Sequence, residues 1–299
     1  MRKSKEEIAN DFQGIQDFIC DSLKKADHLE AFQEDKWERP EGGGGRTRII
    51  KNEATIEKGG VNFSAVHGKT PEKILAALKL EEADFFATGV SIVMHPQNPF
   101  CPIIHMNIRY FEMSNGISWF GGGIDLTPHY INAEDASFFH SELKKRCDTY
   151  DASYYAKFKQ WADDYFFIKH RNETRGIGGI FFDRLSPTDD KSFDGYFNFV
   201  SEVGKSFPVI YNELLSRNKD KPFISSHKEW QALRRSRYVE FNLVYDKGTK
   251  FGLDTNGRVE SILMSMPPIA QWEYDYQPTP NSEEEFTLNN LKKGIDWIA

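Results

Sequence analysis

With 299 residues, 39% hydrophobic and 14% aromatic, the chain can build one large core or two modest ones. Its net charge of −7 argues against general nucleic-acid binding, whereas its locally clustered arginines suit a small anionic ligand. Cys20, Cys101 and Cys147 are scattered without a CxxC pair, which supplies no zinc or iron–sulfur framework and points to reduced thiols. The opening MRKSKEEIANDF lacks the apolar run of a signal peptide, and no segment approaches the roughly 18 apolar residues of a membrane span. A soluble, cytoplasmic protein is expected.

Lys5 to Lys25 carries Ile8, Phe12, Ile15, Ile19 and Leu23 at helical spacing. Gly42 to Gly45 then reads as a loop, followed by Arg46 and Arg48, which either clamp an anion or lie solvated beside a hinge. Gly68-Lys69-Thr70 imitates the end of a P-loop, but Phe63 stands where that motif requires glycine. Thr70-Pro71 instead caps a predicted helix over 71–80.

The stretch from Ala87 to Pro128 is the most informative. It predicts strands over about 87–95 and 103–112, and alternate residues of a strand share a face. Ser91, Val93 and His95 fall together, as do His105, Asn107 and Arg109, while Ile104, Met106, Ile108 and Tyr110 form an apolar opposite face. An imidazole, an amide and a guanidinium in one row are costly to bury unpaired, so the row is expected to face a cavity. Gly121-Gly122-Gly123 leads to Asp125, an acid that either meets a ligand brought close to the backbone or caps a helix after a bulge.

Helices are predicted over about 132–147 and 152–170, carrying His140 and His170, and over 190–215. Arg234, Arg235 and Arg237 are read as the end of a helix that enters a strand, YVEFNLVY, over 238–245. Asn256-Gly257 predicts a tight hairpin with Arg258 at its exit and a strand over 258–264. Ser282 opens a capping box for a final helix running towards Trp297. Dispersed strands joined by short turns predict a single α+β domain over 1–299, a large, mainly antiparallel sheet covered by helices on both faces.

No dinucleotide fingerprint, nucleophile elbow or HExxH helix is present. The polar strand faces and arginines suggest a site for a large, flat polyanion, with arginines holding carboxylates and His105 moving protons. The residues alone do not identify the reaction.

FFATGVSIVMHPQNPF, PIIHMNIRYFE, WFGGGIDLTP, KHRNETRGIGGIFFD, RYVEFNLVYDKGTKFGL and ESILMSMPPIAQWEYDY closely resemble the oxygen-dependent coproporphyrinogen-III oxidases, over nearly the whole chain. The resemblance implies oxidative decarboxylation of the ring A and B propionates of coproporphyrinogen III to vinyls. The product is protoporphyrinogen IX, with O2 as oxidant and no organic cofactor. It assigns His105 as proton donor, Ser91 and Asn107-Ile108-Arg109 as substrate contacts, and Asp125 as the acid that meets the pyrrole nitrogens. Asn256-Gly257-Arg258 matches a Gly-Gly-Arg substrate loop, with asparagine replacing its first glycine. His95, His105, His140 and His170 match positions proposed to hold a divalent metal in bacterial members. Tyr238 to Glu273 corresponds to a homodimer interface. Two rival readings are a metal-dependent decarboxylase or hydrolase, active without O2, and a porphyrin carrier without turnover.

Overall fold

A computed structural model of the chain describes residues 2–27, 32–51, 54–70, 75, 82–188, 191–254 and 257–298, apart from the Phe251 side chain. Among the described residues the helices are α1 (Lys5–Asp27), α2 (Ala133–Tyr150), α3 (Tyr154–Tyr165), α4 (Phe193–Asn218), α5 (Ser225–Val244), α6 (Lys247–Asp254), α7 (Val259–Leu263) and α8 (Glu283–Asn290). The strands are β1 (Gln33–Glu38), β2 (Gly43–Lys51), β3 (Ile56–Lys69), β4 (Asp84–Pro96), β5 (Ile103–Met113), β6 (Ser118–Thr127), β7 (Phe167–Ile168), β8 (Glu173–Thr174) and β9 (Gly179–Leu185). Seven of them form one sheet in the order β1-β2-β3-β4-β5-β6-β9, antiparallel throughout, and β7 and β8 pair separately. The α+β expectation of a single domain built on an antiparallel sheet holds.

One face of the sheet is the main core. Val61, Phe63, Val90, Ile92, Ile104, Met106, Ile108, Tyr110, Phe120 and Ile124 point into it. The helical stripe of α1 meets them, as do Phe197, Val200, Val203 and Ile210 of α4. Each such side chain contributes about 1.5–3 kcal/mol on burial. Gly204 lets α4 close on β5, because a Cβ there would stand 2.8 Å from Ile108 Cδ1.

The opposite face is polar. Cross-strand partners share a face, so the register aligns Asp35, Thr47, Asn62, Ser91, Asn107, Gly123 and Phe181 in one row from β1 to β9. A flanking row runs through Gly60, Val93, His105 and Asp125; the other runs through Trp37, Gly45, Ser64, Gly89, Arg109 and Gly121. This face is only partly covered. Tyr238 of α5 packs on Val93 and Ile103, and Ser261 of α7 hydrogen-bonds Thr47 and Asn62. Helix α3 closes the β9 edge through Ala162 and, just past its end, Phe166, in a cluster against which Phe181 packs.

The structure corrects several expectations. Gly43 to Gly45 are strand residues rather than a loop, and their arginines neither wait for an anion nor lie free. Arg46 binds Gln16 and Asp17, and Arg48 binds Asp17 and Glu34. YVEFNLVY continues helix α5, and 258–264 is mostly the short helix α7 rather than a strand. Strands β1 and β3 were not expected. Helix α3 ends at Tyr165, short of His170, and α8 ends at Asn290, short of Trp297. The helix expected over 71–80 falls outside the described residues except at Leu75.

Candidate active site

The polar face concentrates its chemistry where β5, β6 and β9 run side by side. His105 and Asp125 are direct cross-strand partners, and His105 Nδ1 lies 2.8 Å from Asp125 Oδ1. Arg175, in the turn before β9, donates from Nη2 to both Asp125 oxygens at 2.7 Å. Asp125 and Arg175 are each 1% exposed, whereas the His105 side chain is 23% exposed. Burial alone would raise the Asp125 pKa, but the Arg175 charge and the His105 hydrogen bond bring it below its ordinary value. An ionised carboxylate only accepts, so the shared proton sits on His105 Nδ1 and leaves Nε2 to face outward chemistry.

Arg175 is held as firmly. Its guanidinium carbon lies 4.4 Å from the Phe166 ring centre and 4.7 Å from those of Tyr238 and Phe241. Burial disfavours its charge, but Asp125 more than offsets this and raises its pKa. Asp125 therefore does not open towards a ligand, as the family likeness implied. It is sealed under His105 and fixes that ring's tautomer and direction. Nor does it cap a helix.

On the other flanking row, Arg109 Nη1 donates to Asn107 Oδ1 at 2.9 Å and Nη2 to Asp183 Oδ1 at 2.8 Å. Gly121 provides the seat: a Cβ there would stand 2.8 Å from both Arg109 Nε and Nη2. Arg109 and Asp183 are 35% and 31% exposed, so this pair meets solvent. Ser91 lies opposite Asn107 and is half-buried. The expected row of His105, Asn107 and Arg109 on one strand face holds, and the pairing of β4 with β5 sets Ser91 on that face beside it. Ile108 turns its side chain into the core and can offer this face only backbone.

Arg258 reaches the same face from the far side. It N-caps α7, donates to Ser261 Oγ at 3.2 Å and to Asp35 of β1, and lies 5.9 Å from the Trp37 ring centre. Gly257 precedes it, its N–H bonded to Gly252 O at 2.8 Å, and Asn256 lies outside the described residues.

The four histidines do not assemble. His95 is buried with Nε2 2.8 Å from Ser265 O, and burial with the Arg235 charge pushes its pKa down to about 3. His140 uses both nitrogens, on Tyr155 Oη and Ile177 O at 3.0 Å, and burial pushes its pKa down to about 4. His170 stands near the surface against Tyr245 and Glu240. Among the described residues no three His, Cys, Asp or Glu side chains are placed to hold a metal ion, so these residues do not fit the shared ion that the resemblance implied.

Two partners escaped the sequence reading. Asp183 follows Phe181 by two in β9, so strand alternation would have placed it on the polar face once that strand's direction was known. Arg175 carries no periodic signal; only the pairing of Asp125 with Gly179 brings its turn under β6.

A family model described as coproporphyrinogen III oxidase matches residues 7–297. The chain is 46% identical to coproporphyrinogen-III oxidase 1, chloroplastic, of Arabidopsis thaliana, over 96% of this chain and 77% of the relative. It is 44% identical to the oxygen-dependent coproporphyrinogen-III oxidase of Prochlorococcus marinus (strain MIT 9312), over 99% of this chain and 94% of the relative. It is 47% identical to the chloroplastic oxygen-dependent enzyme of Glycine max, over 95% of this chain and 77% of the relative. A match of this extent, on a chain whose polar sheet face carries His105, Asn107 and Arg109 together, means that the chain belongs to the coproporphyrinogen III oxidase family.

Proposed function

We propose that this protein converts the ring A and B propionates of coproporphyrinogen III to vinyls with O2 as oxidant, yielding protoporphyrinogen IX for haem synthesis. For each propionate, R–CH2–CH2–COO⁻, O2 and one proton give R–CH=CH2, CO2 and H2O2. The side chain gives up CO2 and one hydrogen, and O2 takes up two electrons and two protons.

The observation that carries this reading is the open polar face. Arg109 on β5 and Asp35, which holds Arg258, on β1 are four strands apart, about 19 Å at ordinary strand spacing. A ligand that engages both arginines must be broad and carry acids on opposite sides. The floor between them, through Gly89 and Ser64, has short side chains and admits a flat body. His105 stands beside it; with Nδ1–H held by Asp125, the ring must take a second proton at Nε2 from solvent, which its partial exposure allows, before Nε2 gives the proton that each step consumes. Asp125 and Arg175 keep that ring aimed, and the arginines fix the propionates.

The same reading takes the enzyme as a cytoplasmic homodimer. Its free, buried cysteines suit a reducing compartment. Leu243, Val244, Leu253, Val259, Ile269 and Trp272 are exposed within the expected interface segment 238–273. Analytical ultracentrifugation at micromolar concentration checks the dimer.

The test of function is turnover of coproporphyrinogen III by metal-stripped protein, in air and then without oxygen. Protoporphyrinogen IX formed only in air is the expected result. Turnover without O2 would favour the metal-dependent decarboxylase, and binding without product would favour the carrier.

A further inference from the structure

Each arginine offered to the ligand already holds an acid, and the two acids stand on the two edge strands of the sheet. Arg109 is engaged by Asp183 of edge strand β9, and Arg258 by Asp35 of edge strand β1. We propose that Asp183 and Asp35 are internal stand-ins for substrate carboxylates: each occupies its arginine in the empty enzyme and yields it when a ligand carboxylate arrives. The inference rests on the function proposed above and extends it to how affinity is set.

Three features support exchange. Asp183 takes one hydrogen bond from Arg109, so further N–H groups of that guanidinium are left for a ligand. Both acids are substantially exposed, 31% for Asp183 and 40% for Asp35, and can turn into water at little cost. Neither arginine depends on its acid alone, because Asn107 and the Gly121 seat keep Arg109 in place and Ser261 keeps Arg258. A substrate carboxylate would therefore find a positioned guanidinium, and its binding is opposed by the acid it displaces. Such opposition limits the grip on the ground state, where tighter binding would lower KM without speeding the chemistry.

The experiment measures the affinity of coproporphyrin III, a non-reacting tetracarboxylate, by its fluorescence on the wild type, Asp183→Asn and Asp35→Asn. Each variant keeps the side chain's shape and removes its charge. Tighter binding by about threefold at low salt is expected from either one. The gain should shrink at about 0.5 M salt, where exposed charges are screened. In an Arg109→Ala background, Asp183→Asn should bring no tightening. Unchanged or weaker binding in both single variants would overturn the proposal and leave the acids as braces. A wild type that neither binds coproporphyrin III nor oxidises coproporphyrinogen III would overturn the functional reading instead.

Discussion

Arg175 and Asp125 are each 1% exposed and joined through both carboxylate oxygens, whereas Arg109 and Asp183 are about one-third exposed and joined through one. Both pairs stand on the polar side of the same sheet. Removing one member of the buried pair strands a charge where water cannot reach it, so that pair acts as a fixed support. The outer pair forgoes little when it opens, because exposed ion pairs are worth about 0–1 kcal/mol. One sheet face thus carries a rigid buried support, Asp125 and Arg175 under His105, beside an exposed pair, Arg109 and Asp183, that can open at little cost.

The contrast can be tested in descending order of effect. Arg175→Ala should destabilise the fold by about 3–5 kcal/mol, because it leaves Asp125 buried and unpaired. Thermal unfolding at neutral pH measures this, and a loss below about 1 kcal/mol would contradict a buried charge pair. His105→Asn and Asp125→Asn should each lower kcat by about 10²–10⁴-fold with little change in KM. An effect confined to KM would make either residue a binding contact. Arg109→Ala should act the other way round, raising KM about tenfold and altering kcat less, as expected for one lost charge-assisted contact. Unchanged KM would remove Arg109 from the substrate site.

The buried histidines set a pH window outside the site. His95 and His140 stay neutral in the fold at pH values where the unfolded chain binds a proton at each. Stability should therefore fall as pH drops from about 6.5 towards 4, by about 2 kcal/mol per histidine at pH 5. Replacing His140 by glutamine should flatten the dependence of unfolding temperature on pH between 7 and about 5. An unchanged slope would mean that His140 is not held neutral.

The fold was legible wherever one face of an element is apolar. The spacing of Ile8, Phe12, Ile15, Ile19 and Leu23 located α1, and alternation in IIHMNIRY located β5 with both faces assigned. It was illegible where tertiary partners override local preference. The β-branched and aromatic residues of YVEFNLVY suggest a strand, yet that segment is helical. The arginines just before it are buried there, Arg234 against Glu173 and Arg235 against Glu57, acids far away in sequence. Strand β1, QEDKWE, has an edge strand's charged residues, and β3 conceals its Val61-Phe63-Ala65 alternation behind glycines. At the site, the row His105-Asn107-Arg109 was readable because it lies within one strand. Its partners Asp125, Arg175 and Asp183 come from other segments and meet it only through strand pairing.

The most direct test is a crystal structure of the protein with coproporphyrin III. The macrocycle should lie on the polar face over the row through Ser91 and Asn107, with His105 Nε2 towards it, one carboxylate on Arg109 and another on Arg258. A macrocycle bound elsewhere, with Arg109 still paired only to Asp183 and Asn107, would contradict the assignment of this face as the active site.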